Sequence, residues 1–246
     1  MKTSFYLILI ILSIGHSYAL KNIESVIDST KSNKAKISLS TNFTSTHMWR
    51  AMPAGTAPCI EPFVSCKIGK LNMSAWASYA LDNSYKEIDI FATYSWKYLS
   101  LGIFDYYCPL QSSSLNRYSE YRTDKTQHLF EGQIVFSGAD KLPLSLTTSC
   151  FFAGSDLDSN GKQRYSTYIE LSYHFMLQQS FLLNLEIGLT PFKNSMYSDK
   201  PSVFNYGFSI SKDIRITKKW SIPSKYKLIY NPEIDMLYFT VSFTLK

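Results

Sequence analysis

The sequence predicts an all-β protein, a 12-stranded antiparallel up-and-down transmembrane β-barrel. Three observations predict it. Segments of about ten residues alternate apolar and polar side chains with the period of two that a one-sided strand requires. The connections between these segments switch in turn between short turns and long polar loops, as in bacterial outer-membrane barrels. A cleavable export signal stands in front of them.

The order of elements begins with that signal. Residues 1–19 carry a positive Lys2, an apolar run from Phe5 to Ile14, and small residues at Ser17 and Ala19. The apolar run is shorter than the roughly 20 residues a membrane helix needs. No cysteine follows the cut, which argues against a lipoprotein anchor. Residues 20–34 are polar, with Ile23, Val26 and Ile27 at helical spacing, and are expected to form a short periplasmic segment or a lumen plug. The barrel is expected over residues 35–246.

Strands are expected at about 35–49, 57–67, 71–80, 87–96, 98–107, 127–137, 143–153, 164–175, 181–189, 204–210, 220–228 and 238–245. The last is the most regular: Phe239, Val241, Phe243 and Leu245 share one face, and Tyr238, Thr240, Ser242 and Thr244 the other. In the fourth, Ile88, Ile90, Ala92 and Tyr94 oppose Glu87, Asp89, Phe91 and Thr93. The second is the least regular, because Pro62 cannot donate to a ladder. Short connections fall at 68–70, 97, 138–141 and 176–179, and long ones at 108–126, 154–163 and 191–202. A soluble sandwich has no reason to follow such a two-sided rule. A lipocalin-like barrel would turn its apolar residues inward and usually has eight strands.

Composition agrees. Aromatic residues make up 15%, with 18 Tyr and 16 Phe, as expected where amphipathic rings sit at two water boundaries. The mean hydropathy of −0.10 suits a wall whose every second residue faces a polar lumen. The formal net charge is +6. Lys and Arg are scattered over turns and loops rather than gathered in a stripe, so nucleic acid is not an expected partner. The expected partners are outer-membrane lipid and small polar solutes, and no cofactor is expected.

The first half of the chain also carries a motif order. Trp49-Arg50, Pro58, Trp76, Glu87-Ile88-Asp89, Gly102 and Tyr106-Tyr107-Cys108-Pro109 resemble the TorF family of outer-membrane barrels, over about residues 37–175. The closing strands, with residues 228–232 and Tyr238-Phe239, look like the ends of related barrels. Ala51 stands where the family usually has Gly. The resemblance implies an outer-membrane barrel and, through the family's label, a porin.

The clearest chemical constellation is charge on the polar faces. Glu87, Asp89, Glu131, Glu170 and Glu186 face Lys225 and Lys227 if polar faces point inward. An acidic wall opposite a basic strand makes a transverse field that sorts small polar solutes at a constriction. The same charges also suit a closed, salt-bridged lumen, because twelve strands lie between the filled eight-stranded barrel and the open 16-stranded channel. The expected role is a narrow porin for small polar solutes. The alternatives are a structural or adhesive barrel that binds through loops such as 108–126, with Arg117, Tyr118, Tyr121 and Arg122, and an outer-membrane lipid hydrolase. Hydrolysis is disfavoured, because His47, His128 and His174 have no recognisable serine motif beside them.

Two minor signals remain. Asp156, Asp158 and Asn160, followed by Gly161, match the start of a calcium loop. Thr167 occupies the twelfth position, where a bidentate Glu belongs, and Asn-Gly is also a hairpin turn. Of Cys59, Cys66, Cys108 and Cys150, the first and third fall at the expected outer rim and are the candidate disulfide pair; Cys150 is expected to be a small buried hydrophobe.

Overall fold

The computed structural model describes residues 34–109, 116–138, 142–177, 180–194 and 196–246. The signal at 1–19 and the segment at 20–34, except Lys34, lie outside the described residues, as do parts of the turns at 138–141 and 176–179 and of the loop at 108–126.

Alternation becomes a closed wall. Twelve strands pair antiparallel in an unbroken ring: β1 (Lys36–Thr44), β4 (Cys59–Ile68), β5 (Leu71–Ala80), β6 (Lys86–Trp96), β7 (Leu99–Tyr107), β8 (His128–Ser137), β9 (Leu144–Gly154), β10 (Thr167–Leu177), β11 (Phe181–Thr190), β12 (Ser202–Arg215), β13 (Ser221–Asn231) and β14 (Met236–Leu245). The seam is β1 against β14, held by the four pairs from Thr41↔Leu245 to Thr44↔Ser242, whereas β1 makes nine pairs with β4. Closure leaves each strand a neighbour on both sides, the condition for a sheet in hydrocarbon.

The faces sort as alternation requires. Ile90, Leu185 and Ile187 are 49%, 46% and 46% exposed, while Glu131 is 0% and Glu87 7% exposed. Apolar side chains therefore point away from the barrel and charged ones into it, the inverse of a soluble barrel. Rings stand at both rims: Tyr94, Trp96 and Trp220 at the rim of short turns, Tyr79, Tyr206 and Tyr230 at the rim of long loops.

Two departures from the expected strands, and one irregularity that was expected, have physical causes. The first expected strand ends at Thr44. His47–Trp49 (β2) and Met52–Ala54 (β3) form a separate two-stranded hairpin. Its two-residue turn, Arg50-Ala51, has φ of 49° and 59°. That is the left-handed geometry of a tight hairpin turn, normally given to Asn-Gly. Pro62 does interrupt the β4–β5 ladder, which skips from Ile60↔Tyr79 to Phe63↔Trp76. Strand β12 runs on to Arg215, because Ser211, Lys212 and Asp213 all find partners on β13.

Candidate functional site

The β2–β3 hairpin leaves the long-loop rim and folds into the mouth of the barrel. Its tip residue, Arg50, donates from Nη1 and Nη2 to the two carboxylate oxygens of Glu131 on β8, both at 2.7 Å. Nη2 also donates to Ser149 Oγ on β9 at 2.9 Å, and Nη1 to the Tyr197 hydroxyl. The guanidinium lies over the rings of Trp49 and Tyr168, 4.4 and 4.6 Å from their centroids. A planar, delocalised cation with a five-donor fork suits such a site, where one group must satisfy a carboxylate and stack at once. Tyr106 donates to the same Glu131 at 2.8 Å.

The rest of the hairpin is held as firmly. His47 Nδ1 meets Glu61 Oε1 at 2.7 Å, and its ring packs on Trp76 and Tyr85 with centroids 5.1 and 5.6 Å away. Trp49 contacts Tyr106, Phe151 and Tyr197. Asn231 on β13 donates to the Ala51 carbonyl at 3.3 Å. The hairpin thus touches β4 to β10 and β13, and spans the lumen as a plug at its long-loop end.

Among the predicted site residues, the structure forms two clusters rather than one constriction. Glu87, Asp89 and Glu131 belong to the plug level. Glu87 accepts from the Tyr85 hydroxyl and, at 3.2 Å, from the Cys108 thiol. Glu170, Glu186, Lys225 and Lys227 lie on β10, β11 and β13. Lys227 is ion-paired with Glu186 along the same wall, with only β12 between their strands. Glu87 and Asp89 on β6 stand across the ring from Lys225 and Lys227 on β13, while the ion pairs that form are local ones. Among the upper acids, Arg50 meets Glu131 and His47 lies 3.9 Å from Glu87; among the lower ones, Lys227 meets Glu186, whereas Glu170 accepts from the Tyr168 and Ser172 hydroxyls. Gly207 on β12 makes the lower pair possible, since Glu186 lies across it: a Cβ there would stand 2.3 Å from Glu186 Cγ.

The remaining candidates resolve as follows. The four cysteines are free. Cys59 on β4 and Cys108 after β7 are separated by β5 and β6, about 14 Å of sheet at strand spacing, beyond the roughly 7 Å Cα limit of a disulfide; the expected bridge does not form. Cys150 is half-buried rather than buried. In the calcium-like loop, Asp156 accepts from the Ser166 backbone at 2.9 Å and hydroxyl at 2.7 Å, and Asp158 from the backbones of Asn160 and Lys162 at 2.8 and 2.9 Å. Their oxygens shape a turn, and no metal-ligating group of three or more forms among the described residues. His128 faces the outer wall between Asp105 Oδ1 at 2.6 Å and the Tyr118 carbonyl at 2.7 Å. His174 Nε2 lies 3.2 Å from Ser145 Oγ in the lumen. Among the described residues no carboxylate bonds its Nδ1, so the pair lacks the orienting third group of a hydrolytic triad.

Sequence reasoning missed Arg50 as a site residue although it stood in the quoted motif. It also missed Tyr197 and the lumenal rings of Phe63, Phe91 and Phe104. The signal for the rings was present: each falls at a polar-face position of its strand.

No protein-family model matches the chain, and no curated protein is similar to it. The TorF resemblance rests on the quoted residues alone. Among solved structures, the KdgM porin superposes with a TM-score of 0.46 at 10% identity, over 87% of this chain and 99% of that one. The KdgM porin in complex with disordered oligogalacturonate gives 0.47 at 10%, with the same coverage. A mutant of the Rh. blastica porin gives 0.37 at 8%, over 86% and 100%.

Proposed function

We propose that this chain is exported across the inner membrane by the signal at 1–19, inserts in a bacterial outer membrane, and passes small polar solutes through a lumen narrowed by its own hairpin. The observation that carries this is the pairing of an apolar outer face with a charged inner face whose mouth holds Arg50 against Glu131. The apolar face suits hydrocarbon. The hairpin narrows the lumen at its long-loop end, and on this reading a polar path beside it carries the solute. The rim of short turns is periplasmic on this reading, and the plug faces outward.

The full burial of Glu131 and the 9% side-chain exposure of Arg50 favour a second reading, a closed barrel that acts through its outer loops. Planar-bilayer recording separates the two. The wild-type protein is expected to give small, discrete current steps, and replacement of residues 47–54 by a Gly/Ser linker is expected to give larger ones. Silence from both proteins supports the closed barrel and ends the porin reading.

A further inference from the structure

Below the plug, the lumen has two chemically different walls. Phe63 on β4, Phe91 on β6 and Phe104 on β7 point inward and are half-buried. Their rings run side by side, with centroids 6.2 Å apart for Phe63–Phe91 and 4.9 Å for Phe91–Phe104, at interplanar angles of 28° and 20°. Near-parallel rings in van der Waals contact sit about 3.5–4 Å apart along their normals. The remaining separation is lateral slip, so the rings overlap like shingles, and the row continues from Phe104 onto Tyr106, 5.9 Å away at 10°. Phe104 lies over Gly102, where a Cβ would stand 2.6 Å from its ring. The glycine lets the ring lie against the wall instead of projecting into the path.

Opposite stands the ionic wall. In the ring of twelve, β6 is six strands from β12. Strands in such a barrel tilt by about 45°, so equal height climbs along the register from strand to strand. Followed around the paired register, the height of Phe91 falls on the far wall at Glu186 and Lys227. That wall has spare hydrogen-bonding capacity. Lys225, one inward position below Lys227, makes no hydrogen bond or ion pair with the described residues, although Glu186 and Glu170 lie near enough to act on its charge. Asn184 donates to Glu186 at 3.1 Å, while its buried Oδ1 accepts nothing. Buried oxygens in folded proteins rarely go unmatched. The formal charges here cancel, two carboxylates (Glu170, Glu186) against two ammoniums (Lys225, Lys227). Twelve strands at about 4.8 Å spacing and that tilt set the backbone walls about 26 Å apart, which leaves roughly 14 Å between side chains.

We infer that this lower lumen is a saccharide-binding chamber, and that its ligand is a neutral linear oligosaccharide. A pyranose has a flat C–H face and a rim of hydroxyls. The shingled phenyl rings match the first, and the carboxylate, ammonium and amide groups match the second. A small ion offers no apolar face for the rings. A highly charged solute would meet a wall with no net charge to neutralise it. The inference deepens the passage reading and rests on the same lumen.

Calorimetric titration of the detergent-folded full chain with maltohexaose tests it, with sorbitol as the control. Sorbitol has the hydroxyls but no ring face. Saturable maltohexaose binding is expected, weaker by about tenfold or more in Phe91→Leu/Phe104→Leu, with sorbitol giving no saturable heat. Leucine keeps the apolar volume and removes the ring, and Phe63→Leu serves if the double variant fails to fold. No saturable heat from the wild type, full affinity in the leucine variants, or sorbitol binding as tightly as maltohexaose each overturns the inference. Binding without bilayer conductance supports the chamber and refutes passage. Conductance without binding does the reverse.

Discussion

Arg50 and Glu131 meet fork to fork at 2.7 Å across 81 residues of chain, one on the turn of a hairpin and the other inside the barrel wall. The turn residues pay for the contact: Arg50 and Ala51 both hold positive φ, a conformation that disfavours Cβ-bearing residues. Such strain persists only where the surroundings over-determine it. Here the guanidinium, with Ser149, Tyr197, Trp49 and Tyr168 around it, does so.

Arg50→Ala should therefore destabilise the barrel by about 3–5 kcal/mol, the usual cost of leaving a buried charge unpaired, since Glu131 is fully buried. Arg50→Lys should recover only part of that loss, because an ammonium cannot form the bidentate contact. Urea unfolding from lipid vesicles measures both. An Arg50→Ala protein as stable as wild type would mean that the hairpin does not anchor in the lumen.

Lipid exposure has its own signature. Leu185 sits midway along β11 and points outward. Leu185→Arg should cost about 2–4 kcal/mol when the barrel folds into bilayers, as basic residues do near the midplane of a barrel's lipid face. Thr147→Arg is the inward control. Its side chain enters the lumen beside Glu170, the residue paired with it across β9–β10, and should cost far less. Equal penalties for the two would refute the outward orientation of the apolar face.

The wall of this barrel was legible because its signal is local. Alternation within Met236–Leu245 or Lys86–Trp96 needs no knowledge of the neighbouring strand. The hairpin was not legible: Arg50-Ala51 has none of the Asn or Gly that marks a left-handed turn, and His47–Trp49 continues the period of β1 smoothly enough to pass for its end. The ion pairs were illegible for a different reason. Both partners of Lys227–Glu186 were identified as inward charges. Which charge meets which depends on barrel tilt and on the bare Cα of Gly207 between them, and neither is written in the spacing of a single strand. Phe91 and Phe104 were obscured by the assumption that inward means polar.

Acid should loosen the loop rim in a definable window. The Asp82 carboxylate accepts from the Ser84 hydroxyl at 2.6 Å, the Thr56 hydroxyl at 2.6 Å and the Ser84 backbone at 3.0 Å. These bonds, the Ser84 hydroxyl first and Thr56 second, hold its pKa at about 2, below the ordinary carboxylate value of 3.8. A carboxylate depressed in the folded state contributes stability above its unfolded pKa and loses it as pH falls through the folded one. The advantage of wild type over Asp82→Asn, followed by protease cleavage in the 81–85 turn, should be constant above about pH 4 and vanish toward pH 2. A difference that persists unchanged at pH 2 would show that the charge is not what ties this turn to Thr56.

Gly207 offers the sharpest test of the lower lumen. Any Cβ at this position would stand 2.3, 2.5 and 2.5 Å from Glu186 Cγ, Cδ and Oε1, so Gly207→Ala must push the carboxylate off its path to Lys227. The charge count is unchanged, but the field is not. With its carboxylate displaced, Lys227 joins Lys225 as a cation on β13 with no ion pair among the described residues. In a salt gradient, the reversal potential of Gly207→Ala should shift toward anion selectivity. Glu186→Gln should shift it further in the same direction, because it deletes the negative charge instead of moving it. Both variants keep the outer face and the Arg50 plug, so the single-channel step size should change less than the selectivity. A Gly207→Ala protein that conducts with wild-type selectivity would mean that the Glu186–Lys227 pair has no part in sorting what passes.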